Sequence, residues 1–177
     1  MKATLLAFLV LSTVTSTIVK AQYPSPFKMQ HIDTVNGSKS DLYVKANQWL
    51  AKTFNSAKAV IQIQDKEAGK IIGKGAVITM AGVFNNVEYV TRYTIFIDVK
   101  DNKYRIVISD CILEGYHSSS QSGEYNYSLD NEKPAGHGTI ATIGKNLWHK
   151  IKDDCARTAD NLIDDFMIAI KANTDSW

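Results

Sequence analysis

From Arg92 to Cys111 polar and apolar residues alternate in two runs joined by Asp101-Asn102, the signature of a β-hairpin. Opposing Lys100 with Lys103 brings Val99 to Tyr104, Ile97 to Ile106 and Ile95 to Ile108 on one apolar face. The same register sets Asp98 opposite Arg105, Phe96 opposite Val107 and Thr94 opposite Ser109 on the other face. A slip of one residue would scatter both the apolar face and the ion pair, so the register is strongly specified.

The rest of the chain arranges itself around this hairpin. Met29 to Val35 reads as a first strand, broken by Asn36-Gly37-Ser38. Ser38 or Ser40 then caps a helix with Asp41 in its first turn, and Leu42, Tyr43, Ala46, Trp49, Leu50, Phe54 and Ala57 recur at helical spacing from Asp41 to about Ala57. Ala59 to Gln64 and Lys70 to Met80 form a second hairpin about the turn residues Asp65 to Gly69. Gly73 and Gly75 share one face there and mark a close approach by a helix, or a bulge. Gly82 to Asn86 turns the chain into Val87. Gly115 to Gly138 is rich in glycine, serine and asparagine, with Tyr116, Tyr125 and Tyr127 interspersed, and reads as one long loop. Thr139 to Ile143 is a short strand, and Lys145 to about Ala172 is the longest helix. Leu147, Trp148, Ile151, Cys155, Ala159, Leu162, Phe166 and Ile170 lie along one side of it. At ~1.5 Å per residue it is long enough to cross a whole sheet. The order β-α-β-β-β-β-α predicts an α+β fold, a curved antiparallel sheet of four to five strands with both helices on one face.

The first residues change where this fold is expected to work. Lys2, an apolar run from Ala3 to Val14 and a Ser/Thr-rich stretch ending Val19-Lys20-Ala21 read as a signal peptide over residues 1–21. The apolar run falls short of the ~20 residues of a membrane span. No later segment is long and apolar enough either, so the mature chain is expected to be exported, periplasmic or secreted, with no membrane span. Residues 22–177 form a single domain, opened by an extended leader from Gln22 to Phe27 that carries Pro24 and Pro26. Taking residues 1–21 from 177 leaves 156, enough for one core without metals or multiple disulfides. The leader holds Lys2 and Lys20 and no acid, so 20 cationic against 18 anionic residues become equal in number. Without a basic surplus or stripe, nucleic acid is not the expected partner.

Candidate chemistry is sparse. His31, His117, His137 and His149 lack zinc spacing, although His117 and His137 lie in the long loop near Glu114 and Glu124. They read as solvated loop histidines, and no metal is expected. Asp153, Asp154, Asp160, Asp164 and Asp165 line the last helix, but Lys150, Lys152 and Arg157 are interleaved, as on a solvated face. Gly69 to Gly75 lacks the GxxxxGK[ST] spacing of a phosphate loop, and no GxSxG elbow accompanies Ser118 to Ser122. Tyr43 and Trp49 belong to the helix's core stripe. No catalytic residue and no cofactor is expected. Cys111 and Cys155 are either a disulfide or two buried, unreactive thiols. The hairpin register turns odd positions of its second strand to the polar face, so bridging Cys111 to the helix requires a bulge or strand end near Asp110.

The segments Ser38 to Phe54, Ala59 to Gly75 and Tyr93 to Asp110, in this order and followed by a long helix, resemble the domain of unknown function 4468 family. Tyr43, Trp49, the turn at Asp65 to Gly69 and Tyr104-Arg105 carry the resemblance, which spans roughly Ile32 to Asp110. It implies exported proteins of Bacteroidota with a TATA-binding-protein-like fold, and it supplies no activity. In that setting Asp33-Thr34-Val35 is similar to the short acceptor pattern of O-glycosylation, with Thr34 the candidate residue.

The function expected is that of a non-catalytic module binding a protein partner or a small ligand, through the outer sheet face or the 115–138 loop. A hydrolase completed by that loop and a structural component of an envelope assembly are the alternatives. The outer face carries an apolar centre, Phe96 and Val107, beside the Asp98 and Arg105 pair. Either Tyr116, Tyr125 or Tyr127 folds back over Phe96, or the face is a contact for self-association or a protein partner, with Phe96 the anchor and Arg105 the orienting charge.

Overall fold

The computed structural model describes residues 23, 26–54, 61–132 and 143–172. The signal segment 1–21, most of the expected strand 139–143, and His137 lie outside them. The elements run β1 (Met29–Thr34), α1 (Lys39–Thr53), β2 (Ile61–Asp65), β3 (Lys70–Ala81), β4 (Val87–Lys100), β5 (Lys103–Ser118), β6 (Ser122–Ser128) and α2 (Lys145–Lys171). The strands form one antiparallel sheet of 6 strands in the order β1-β5-β4-β3-β2, with β6 paired to β5. Both helices pack on one side of it, where Leu42, Leu50, Ile95, Ile97, Ile106, Ile108, Ile151 and Phe166 close the core.

The central hairpin has the register its sequence specifies, from Lys100 opposite Lys103 through Val99, Ile97 and Ile95 opposite Tyr104, Ile106 and Ile108. Asn102 takes the positive φ of 56° that the two-residue turn needs, a conformation asparagine tolerates. The turn also organises α1. Asp101 Oδ1 accepts from the Lys39 N–H at 2.7 Å and Asn102 Oδ1 from the Gly37 N–H at 3.1 Å. The Asp101 carboxylate therefore sits at the positive end of the helix beside the Ser38 cap, whose hydroxyl accepts from the Asp41 N–H.

The long loop expected over 115–138 is corrected by the structure. β5 continues to Ser118 and returns as β6, so Gly115 to Ser128 is a further hairpin, and the sheet gains a strand beyond the four to five expected. Its composition misled because β6, Ser-Gly-Glu-Tyr-Asn-Tyr-Ser, alternates tyrosines with small polar residues and contains no aliphatic side chain. Residues 133–142, the remainder of that stretch, are outside the described ones.

Two single-residue bulges shape β5. Thr94 faces Ser109 while Arg92 faces Ile112, and Thr91 faces Leu113 while Val90 faces Gly115. Each extra residue swaps the faces of the strand, so the helix side of β5 reads Tyr104, Ile106, Ile108, then Cys111 and Leu113, then Tyr116. Asp110, at φ 54°, makes the first of these turns. Gly75 makes room for its cross-strand neighbour. A Cβ there would lie 2.4 Å from the Tyr93 ring, so the glycine is the bed of its cross-strand partner. Gly75→Ala is expected to lower stability by roughly 1–3 kcal/mol, because the ring has no free direction in which to retreat. A denaturant midpoint equal to that of the parent would contradict this packing.

The leader and the last helix hold further corrections. Phe27 is buried, with its N–H on Asp130 Oδ1 at 2.6 Å, and Tyr23 donates to Asp153 Oδ1 at 2.5 Å, so this part of the leader is built into the fold. The Tyr23 hydroxyl is pushed well above its ordinary pKa by burial and by that carboxylate. Lys152, read as part of a solvated face, is buried instead. Its ammonium donates to the Asn131 carbonyl at 2.8 Å and lies over the rings of Tyr23 and Trp148, and burial lowers its pKa. Asp165 accepts from Trp49 Nε1 at 2.8 Å and pins the two helices together. Ile163, in place of Leu162, completes the buried stripe.

Candidate binding surface

Toward the β4–β5 turn, the side of the sheet away from the helices carries three cross-strand rows. In the middle row Gln30, Val107, Phe96, Ile72 and Ile63 stand in register across β1, β5, β4, β3 and β2. On one flank the row Ile32, Arg105, Asp98, Lys70 and Asp65 alternates in charge from Arg105 onward. On the other flank stand Ser109, Thr94 and Lys74. Because side chains alternate along each strand, the register that sends the isoleucines of β4 and β5 to the core sends these residues out.

The predicted quartet Phe96, Asp98, Arg105 and Val107 is brought together here. Arg105 donates to one Asp98 oxygen from Nε at 3.0 Å and Nη2 at 2.8 Å, and Lys70 Nζ lies 3.6 Å from the other. Asp98 is thus held between two cations, which the hairpin alone did not reveal. Val107 is 6 % exposed and serves as the floor of the patch, while Phe96 and Ile72 are half-buried and Ile63 is exposed. A shallow depression of about 260 Å³ runs along Phe96, Ile72 and Val107, rimmed by Lys28, Lys70 and Arg105 against Asp98.

The alternative cover for Phe96 is corrected. The two bulges cancel for Tyr116, which stays on the helix side like Tyr104, Ile106 and Ile108; its ring meets Tyr89 at 6.0 Å and Tyr125 at 5.6 Å, and Tyr125 meets Tyr127 at 5.2 Å. This tyrosine cluster extends the core, and burial raises the Tyr89 and Tyr125 pKa values. None of these rings borders the depression beside Phe96.

The comparisons agree with an open antiparallel sheet carrying two helices. Residues 29–112 match the family described as a domain of unknown function (DUF4468) with TBP-like fold. The DUF4468 match covers β1 to the first bulge of β5 and so contains every residue of the three rows. A TBP-like protein from Parabacteroides distasonis shares the fold at a TM-score of 0.61 and 19% identity, over 81% of this chain and 92% of that one. A DUF4468 family protein from Bacteroides ovatus does so at a TM-score of 0.54 and 13% identity, over 85% of this chain and 89% of the other. No curated protein matches.

The remaining candidate residues fall elsewhere. Thr34 is exposed at the end of β1, and its N–H donates to Asp33 Oδ1 at 2.8 Å. The Lys171 ammonium, 2.7 Å from the other Asp33 oxygen, holds that carboxyl below the usual carboxylate range. Among the described residues no three His, Cys, Asp or Glu groups could hold a metal together, and no helix is long and apolar enough to cross a membrane. Ser118 closes the β5–β6 turn by accepting from the Gln121 N–H and donating to the Gln121 carbonyl. Sequence reasoning missed Lys70, Ile72 and Ile63, although opposing Asp65 with Lys70 about the Lys66–Gly69 turn would have extended both rows.

Proposed function

We propose that this chain is an exported, non-catalytic protein-binding module whose working surface is the open sheet face. The observation that carries the reading is the apolar row Val107, Phe96, Ile72 and Ile63, set beside the charged row through Arg105, Asp98 and Lys70. A sheet face exposed only to water would alternate to polar residues at these positions. The depression is smaller than the ~300–1,000 Å³ of a typical small-molecule pocket and is shallow, which suits the flat contact of a protein surface better than an enclosed ligand.

The rim favours one kind of partner. Three cations face one carboxylate around the depression, so two copies of this face would repel one another, whereas an apolar surface rimmed with carboxylates is complementary. Phe96 is the anchor and Arg105 the orienting charge. The β5–β6 pairing runs from Ile112 to His117, beyond these three rows. Binding to the partner should weaken as salt is raised and should be lost in Phe96→Asp. A partner retained by Phe96→Asp with unchanged affinity would remove the proposal.

A further inference from the structure

We propose that Cys111 and Cys155 are joined by a disulfide that ties α2 to β5 in the exported protein. The chain has 2 cysteines, and they stand 44 residues apart with their sulfurs 3.3 Å from one another, Cys155 Sγ donating to Cys111 Sγ. Closing that gap to the ~2.05 Å of an S–S bond takes side-chain rotation rather than movement of an element. Both side chains are buried under the helix, at 2% and 1% exposure.

The strand is built to make this meeting happen. In an unbroken register Cys111 would follow Ser109 to the outer face, away from α2. The extra residue at Asp110, with its positive φ of 54°, returns Cys111 to the helix side, where Cys155 occupies the buried stripe of α2. An uncommon backbone conformation for a residue other than glycine is therefore held at the one place that brings the sulfurs together.

The bond forms by exchange with a protein or small-molecule disulfide, the oxidant of an exported compartment. The thiolate of one cysteine attacks that disulfide and releases one thiol. The thiolate of the second attacks the resulting mixed disulfide at the protein sulfur and releases the other thiol. Two protein thiols are oxidised, one external disulfide is reduced, and the two protons are shared out to the leaving thiols and the medium. Neither step suits the finished fold, because the sulfurs are out of reach of a reagent, and the Cys155 thiol and burial both push the Cys111 pKa upward. Oxidation belongs to the stage before α2 docks, and the docked helix then shields the bond from reductant. This makes the pair a permanent tie and not a switch.

The experiment is to unfold the full chain in reductant and refold it either with a mixture of oxidised and reduced glutathione or in reductant throughout. The oxidised product should be monomeric, lighter by two hydrogens, and without titratable thiols after denaturation, and proteolysis should yield one fragment pair joined through Cys111 and Cys155. Its Tm should exceed that of the reduced product by roughly 10 °C, as expected for closing a loop of this length. The comparison uses the parent in both states, so it does not depend on a variant folding. In the double variant Cys111→Ala, Cys155→Ala the two refolding conditions should give the same Tm. A natively folded product that keeps two titratable thiols, chains linked to each other, or a bond that brings no rise in Tm would each overturn the proposal.

Discussion

Ile106→Ala is expected to destabilise the protein by ~2–5 kcal/mol, the cost of an unfilled cavity at the centre of a packed core. Ile106 has no exposed surface and stands between Ile97 of β4 and His31 of β1, under α2. Asp98→Ala, only a few residues along the neighbouring strand, should cost about 1 kcal/mol or less. Its side chain is 21% exposed, and the Arg105 and Lys70 partners at 49% and 57% can return to water when the carboxylate goes. Denaturant melts measure both, with the midpoint shifting while the slope stays constant. Equal losses would mean that the two faces of the sheet are assigned the wrong way round.

The second large effect concerns association rather than stability. Phe96 is flanked in register by Val107 and Ile72, and the cations Arg105 and Lys70 stand in the adjacent row. An aromatic anchor at the centre of an interface contributes at least ~2 kcal/mol when removed, about a thirtyfold loss of affinity. A carboxylate in its place adds a desolvation cost on binding, so Phe96→Asp should exceed that figure. Because Phe96 is half-buried, the same change should leave a folded protein. Titration of the partner at two salt concentrations against parent and variant separates the apolar part of the loss from the electrostatic part, since salt screens only the latter.

How far the sequence leads depends on which physical signal each segment carries. The central hairpin was legible because its alternation has two aliphatic β-branched arms and a turn that only one register satisfies, from Lys100 opposite Lys103 to Thr94 opposite Ser109. The α1 stripe was legible for a similar reason, at helical spacing, and Ser38 was one of its two predicted caps. β6 was not, because strand propensity there rests on Tyr125 and Tyr127 among glycine, serine and asparagine, and a pattern so poor in aliphatic residues looks like a loop. Lys152 and Asp165 were hidden by their charge. Long side chains can bury a stem or satisfy a buried indole, and only the third dimension shows which charged residue of a mixed helix does so. Of the candidate surface, the hairpin supplied Phe96, Asp98, Arg105 and Val107. The continuation through Lys70, Ile72 and Ile63 needed the order of strands, which alternation within one hairpin does not contain.

The proposed contact surface is the open sheet face. The direct measurement is to place one carboxylate there and one on an equally apolar position elsewhere, using Phe96→Asp and, on the exposed side of α2, Ile168→Asp, whose side chain is 72% exposed. Both proteins are mixed with the partner recovered from the native host, and complex formation is followed by sedimentation velocity at low salt. Under the proposed contact, Ile168→Asp should sediment with the partner as the parent does while Phe96→Asp sediments free. Loss of the complex in Ile168→Asp with retention in Phe96→Asp, or equal behaviour of the two folded variants, would contradict it.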